Sequence, residues 1–322
     1  MKKILAYRFS AFGDVAMTVP VCIEFLEQNP DVEIYFASRE NFRDLFENRN
    51  PRLYFEGIDF DKYKGVLGIR KLGMRLMKDI QPDLVADLHD VIRSKMVNSI
   101  FKRHRYKVFR IDKGKEEKEK LTDIWNLNKY PLKQTVERYA DVFRKMGFSL
   151  ELSHQYRICV QQKSGIGLAP FAQHKGKMMP EEKSFELAKI LAKNYKIYFF
   201  GGGSEETEIL QKWEKQIANT QNLAGKLSLK DELQKISELE LMISMDSANM
   251  HLASLVGTRC ISVWGSTHRF AGFLGYGQSE NDIVEVRDLS CRPCSVFGDK
   301  ECFRGDYSCL EELDIQKIID KI

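Results

Sequence analysis

Short apolar runs alternate with amphipathic stretches along most of the chain. Residues 3–7 (KILAY), 32–36 (VEIYF) and 84–88 (LVADL) have the length and continuous hydrophobicity of buried strands. So do 165–168 (GIGL), 198–200 (YFF), 241–245 (LMISM) and 260–264 (CISVW) in the second half. Helical spacing follows over 15–26 and again over 185–191. Strand, short loop and helix in repeated order predict βαβ units and parallel sheets. Two such sets predict an α/β protein of two doubly wound, Rossmann-like domains, 1–155 and 156–322. The boundary falls near 150–164, where residues 156–160 read as a strand and Gln161-Gln162-Lys163-Ser164 as a polar turn.

The length agrees, since 322 residues is about twice the usual ~150 per domain. Composition narrows the class. With 43% hydrophobic residues the chain is not disordered. A formal charge of only +4 disfavours a dedicated nucleic-acid binder, and no nucleic acid is expected as partner. The apolar run after Lys2 and Lys3 stops at Arg8, too soon for an export signal. No apolar stretch approaches the ~20 residues that cross a bilayer. A cytoplasmic protein is the default, with peripheral inner-membrane contact left open.

In open parallel sheets, ligands sit beyond the carboxyl ends of the strands, so the loops after the apolar runs carry the candidate chemistry. In 8–14 (RFSAFGD), Asp14 stands at the start of a helix. It either caps that helix or faces a cleft as a general base. In 246–253 (DSANMHLA), small residues at a strand-to-helix turn leave amide groups open to a phosphate, with Ser247, Asn249 and His251 as added donors. Ser266 and Thr267, after the next strand, are further candidate donors. Lys177, in the basic loop before Pro180, could neutralise a departing diphosphate. Gly201-Gly202-Gly203 is neither GxGxxG nor a P-loop. The run KGKEEKEK (113–120) reads as a solvated loop or helix end.

The chain has 7 cysteines. Cys22, Cys159 and Cys260 lie in apolar context and read as core. Cys291, Cys294, Cys302 and Cys309 contain one CxxC but no matching second pair. They are expected as reduced thiols in a packed loop, with a metal or a redox bridge as alternatives.

Taken together, these segments resemble the ADP-heptose:lipopolysaccharide heptosyltransferases, inverting glycosyltransferases of the GT-B fold. RFSAFGDVAMTVP, DLVADLHDVIRS, APFAQHKGKMMPEEKSFELAKIL, NLAGKLSLKDEL and MDSANMHLASLVGTRCISVWGST carry the resemblance, in order, over nearly the whole chain. The tail with Cys-x-Pro-Cys looks like that of many members. The resemblance implies an N-terminal acceptor domain and a C-terminal nucleotide-sugar domain facing across a cleft. A C-terminal helix is expected to pack back on the first domain.

Residue by residue, the resemblance makes Asp14 the catalytic base. It places Lys177, Asp246, Ser247, Ala248, Asn249 and His251 around the donor, and Ser10 and Arg93 toward the acceptor. It implies an ADP-sugar donor, a lipopolysaccharide core or other surface-glycan acceptor, anionic and lipid-linked, and no required cofactor or metal. Met179, Arg259 and Asn249 depart from the family pattern and leave the donor sugar open. A different nucleotide sugar, or a non-catalytic binding role on the same scaffold, are the competing readings. The basic segment 102–107, in the acceptor half, is expected to attract the phosphorylated glycan.

Overall fold

The computed structural model describes residues 1–158 and 162–322. The chain divides into two compact units. One contains Met1–Lys113 and Thr135–Ser153; the other contains Gly114–Gln134 and His154–Ile322. The sequence reading, with its single boundary, has no such excursion. Cys159, Val160 and Gln161 of the expected seam lie outside the described residues, and 156–158 form no strand.

The first unit is built on β1 (Lys2–Tyr7), β2 (Val32–Arg39), β3 (Leu53–Ile58), β4 (Leu84–Asp87) and β5 (Lys107–Arg110). All pairings are parallel, in the order β3-β2-β1-β4-β5. The near-continuous apolar sequence of β1 follows from burial on both faces, with Ile4, Leu5, Ala6 and Tyr7 fully covered. The expected helix over 15–26 is two pieces, α1 (Phe12–Ala16) and α2 (Thr18–Gln28), meeting at Met17. At the junction the Thr18 hydroxyl donates to the Val15 carbonyl at 2.7 Å. Then come α3 (Gly65–Ile80) and α4 (Ile92–Arg103).

Segment 114–134, with α5 (Lys115–Leu121), belongs to the second unit. Lys118 there is not solvated as expected: it is buried, its ammonium 4.3 Å from the Phe273 ring centre. Helix α6 (Thr135–Lys145) returns to the first unit.

The second unit orders its parallel strands β11-β10-β9-β6-β7-β8. These are β6 (Ile166–Ala169), β7 (Ile197–Phe199), β8 (Thr220–Asn222), β9 (Leu241–Met245), β10 (Arg259–Trp264) and β11 (Ile283–Glu285). Helices α7 (Glu181–Leu191), α8 (Ser204–Gln216), α9 (Leu229–Ser237) and α10 (Ala248–Leu255) connect them. Near the end, α11 (Ser308–Glu311) and α12 (Gln316–Ile319) follow, and Leu313 and Ile318 are buried in this unit's own core. Cys22 and Cys260 are core residues, as their apolar context predicts.

Each strand order reverses direction once, between β1 and β4 and between β6 and β9. Such a switch splays the following loops apart and opens a crevice at the carboxyl ends. The loops at the two switch points are 8–14 with 88–91, and 170–180 with 246–247.

Candidate active site

In the first unit, Asp14 lies in the first turn of α1, whose N-cap position is Ala11. Its carboxylate pairs with Arg8, Nη2 to Oδ2 at 2.7 Å. Arg8 is nearly buried, and its other nitrogen Nη1 donates to the Leu88 carbonyl at 2.8 Å. Its guanidinium lies 5.6 Å from the ring centre of Tyr139 on α6, whose hydroxyl donates to the Asp14 carbonyl at 3.4 Å. Burial opposes the Arg8 charge, and Tyr139 and Asp14 more than offset it. A carboxylate at this distance favours the charged form of Arg8. Asp14 is thus held from β1 and α6 while its side chain keeps 21% of its surface exposed.

The facing loop is organised by Asp87, fully buried at the end of β4. Its carboxylate accepts from the backbone of His89 and Asp90 at 2.9 Å each, from Ser94 Oγ at 3.0 Å and from Asn98 Nδ2 at 2.6 Å. The Tyr7 hydroxyl donates to Asn98 in turn. A buried carboxylate with this many donors fixes the loop after β4. His89 is presented by it. Phe9 N–H donates to His89 Nδ1 at 3.3 Å, which assigns the ring proton to Nε2, 3.5 Å from Ser10 Oγ. Arg93 is exposed, its guanidinium 4.4 Å from the Phe60 ring centre. Arg8, Asp87 and His89 received no role from the sequence.

Burial, joined by the Arg8 and Lys113 cations, pulls His89 down to about 3. Burial likewise pulls His268 down to about 4 against the pull of Glu285. Both rings are neutral when folded, while the unfolded chain takes up protons below about 6.5. Stability from these groups is therefore complete above pH ~6.5 and is lost as pH falls toward 4 and 3. The melting temperature should drop over that window. His89→Asn, which keeps an acceptor for Phe9 N–H, should make the drop shallower, by up to ~1.4 kcal/mol per pH unit. An unchanged slope in a pH series of melts would contradict this.

In the second unit, Lys177 sits in a short 3-10 turn (Lys175–Lys177) rather than on α7, which starts at Glu181 after Pro180. Its Nζ pairs with Asp246 Oδ2 at 2.9 Å. Asp246 is buried at the end of β9, its N–H donating to the Val263 carbonyl at 3.0 Å. Ser247 is the N-cap residue of α10, and its hydroxyl lies 3.1 Å from Ser244 Oγ. Ser247, Ala248 and Asn249 are half-buried; His251, one turn in, is buried.

The Ser266 hydroxyl donates to the Gly176 carbonyl at 2.8 Å, and Ser266 N–H donates to the same oxygen at 2.8 Å. Both bonds hold the lysine turn. Gly176 is required there, because a Cβ would lie 2.4 Å from Ser266 Oγ. Thr267 Oγ1 is buried with no hydrogen-bond partner among the described residues.

Met179 is buried in the core. Arg259 makes two hydrogen bonds to Asp282, at 2.6 and 3.0 Å. Cys291, Cys294, Cys302 and Cys309 are unbridged and line one small cavity. Among the described residues, no group of three or more His, Cys, Asp or Glu could hold a metal ion.

The basic segment 102–107 is not at the Asp14 end. It closes α4 and opens β5, beside Lys2 and Leu84 at the amino-terminal edge of the sheet. The segment lies in the first unit, as expected, at the edge of the sheet away from Asp14. A helix after a parallel strand ends at the opposite edge from the loop that began it.

The sequence signature of glycosyltransferase family 9 (heptosyltransferase) matches residues 69–302, well over half of the chain. The chain belongs to that family. This family 9 member is a glycosyltransferase. It is 26% identical to lipooligosaccharide heptosyltransferase 2 of Campylobacter jejuni, over 99% of this chain and 97% of that one. Two solved structures from E. coli are similar to it. Heptosyltransferase WaaC with ADP superposes with a TM-score of 0.71 at 18% identity, covering 99% of each chain. ADP-heptose lps heptosyltransferase II superposes with a TM-score of 0.69 at 18% identity, covering 100% of this chain and 97% of that one. The fold of this family 9 glycosyltransferase is α/β of the GT-B class, as the resemblance implies. No helix among its described residues is long and apolar enough to cross a membrane.

Proposed function

We propose that the protein moves a heptose, or a closely related sugar, from an ADP-sugar to the lipopolysaccharide core or another surface glycan, inverting the anomeric carbon. The observation that carries this reading is the Asp14 carboxylate at the β1/β4 switch, gripped by Arg8 and still open to solvent. The similarity to a lipooligosaccharide heptosyltransferase and to a fold solved with ADP supports the donor and acceptor classes.

In this mechanism Asp14 takes the proton of the acceptor hydroxyl as its oxygen attacks the anomeric carbon in line. The bond from that carbon to the diphosphate breaks, and the electron pair leaves with the diphosphate. Lys177, positioned by Asp246, neutralises the developing charge together with the amide groups at Ser247 and Ala248. Asn249 and His251 complete the donor site. Because these fixed donors meet the charge, the proposal calls for no metal or other cofactor. Ser10 and Arg93 orient the acceptor, an anionic lipid-linked glycan. The protein would work in the cytoplasm, at a membrane face.

A thermal-shift screen of nucleotide sugars tests the donor. A ligand at a hundredfold excess over its dissociation constant raises stability by about 2.7 kcal/mol. ADP-heptose should shift the melt more than ADP alone or any UDP-sugar. A clear preference for UDP-sugars would overturn the donor assignment.

A further inference from the structure

The outward face of α3 is unusual for a helix on a sheet. Its exposed side chains are Val66, Leu67, Arg70, Lys71, Met74, Lys78 and Asp79. They fall at helical spacing on one side, while Ile69, Leu72, Leu76 and Ile80 face the core. The solvent-facing stripe is thus apolar and basic, with Asp79 as its lone acid. Val66 and Leu67 keep 69% and 79% of their surface exposed.

Helix α4 lies alongside and in register. Gly73 brings the two close, since a Cβ there would be 3.0 Å from Ile100. The start of α4 therefore stands beside the start of α3, and it adds Ile92, 80% exposed. Its other exposed charges are all cations, and Arg105 and Lys107 extend them past its end. A face that groups Val66, Leu67, Met74 and Ile92 among cations, with Asp79 as its lone acid, has the apolar and basic make-up of an interfacial surface. Anionic lipid headgroups complement it.

We propose that the outer face of α3 and α4 docks on an anionic bilayer. The cations lie against headgroups, and Val66, Leu67, Met74 and Ile92 dip into the interface. The basic segment 102–107 thereby gains a partner. The upper end of this face reaches the catalytic loop. Arg93 covers Phe60, whose ring centre is 5.1 Å from that of Phe9, within the 8–14 loop. A lipid-anchored glycan can then present its sugar to Asp14 while its acyl chains stay in the bilayer. This last step rests on the acceptor reading of the preceding section; the docking itself does not.

The test is co-sedimentation of the full chain with vesicles of phosphatidylcholine alone or with 30% phosphatidylglycerol. The unmodified protein should bind the anionic vesicles and release at high salt. The combined variant Val66→Ser, Leu67→Ser, Ile92→Ser should lose roughly tenfold or more in vesicle affinity. Arg103→Gln with Arg105→Gln should lose roughly tenfold. All five side chains changed are exposed, so unchanged melts verify the fold. Turnover is then read on heptose-deficient lipopolysaccharide in vesicles and on the same glycan deacylated to a water-soluble form. The variants should lose rate only on the vesicle-bound acceptor. Equal binding to neutral vesicles, or full binding by the variants, would overturn the docking. Vesicle binding without turnover of either acceptor would instead sink the functional reading and leave the docking standing.

Discussion

Replacing Asp14 with Asn should lower turnover by about 10²- to 10⁴-fold, the range for loss of a positioned general base. Donor binding should stay within about twofold, because Asp14 belongs to the first unit and the proposed donor residues to the second. The choice of Asn matters. Arg8 is 8% exposed at its side chain, and Asp14→Ala would leave that cation without its carboxylate. Stranding a buried cation in this way costs up to about 3–5 kcal/mol, enough to confuse lost chemistry with lost folding. Asn keeps an oxygen acceptor at the same reach. Steady-state kinetics with calorimetric titration of ADP decides the matter. Turnover by Asp14→Asn near the unmodified rate would remove Asp14 from the mechanism.

Lys177 should show a comparably large effect of a different kind. Lys177→Met should reduce kcat by about 10²- to 10³-fold, the scale for loss of one charged or hydrogen-bonding group at a developing anion. It should also weaken ADP-sugar binding, which Asp14→Asn does not. Because Asp246 is only 4% exposed at its side chain, the single variant strands a buried carboxylate. Lys177→Met with Asp246→Asn should recover melting temperature while staying slow. Recovery of turnover in the double variant would mean that Lys177 serves only to satisfy Asp246, and the proposed contact with the diphosphate would fall.

Much of the architecture was legible because parallel strands buried on both faces write themselves as apolar runs, as in residues 241–245 and 260–264. The candidate loops were legible for the same reason, since each follows such a run. What was hidden depends on which strands become neighbours. Tyr7 and Asp87 are 80 residues apart in sequence and become register partners only when β1 pairs with β4. Arg8, Asp87 and His89 form their network across that pairing, so no local spacing signals it. Ser266 offered the composition of a phosphate donor, yet its hydroxyl is taken by Gly176. The basic segment 102–107 was legible as a cluster of charge in the first half of the chain, but its edge of the sheet was not, because composition has no direction along a strand.

The excursion of 114–134 constrains how such proteins can be recombined. Leu121 and Leu132 bury against Ala271, Phe270 and Phe273, and Leu132 N–H donates to the Phe270 carbonyl at 2.8 Å. Yet the chain then re-enters the first unit as α6, which supplies Tyr139 to the Asp14 loop. A chimera cut once at the seam would carry these apolar side chains away from their partners. Exchanging the first unit between relatives therefore takes three crossovers, with 114–134 inherited from the parent that contributes the second unit.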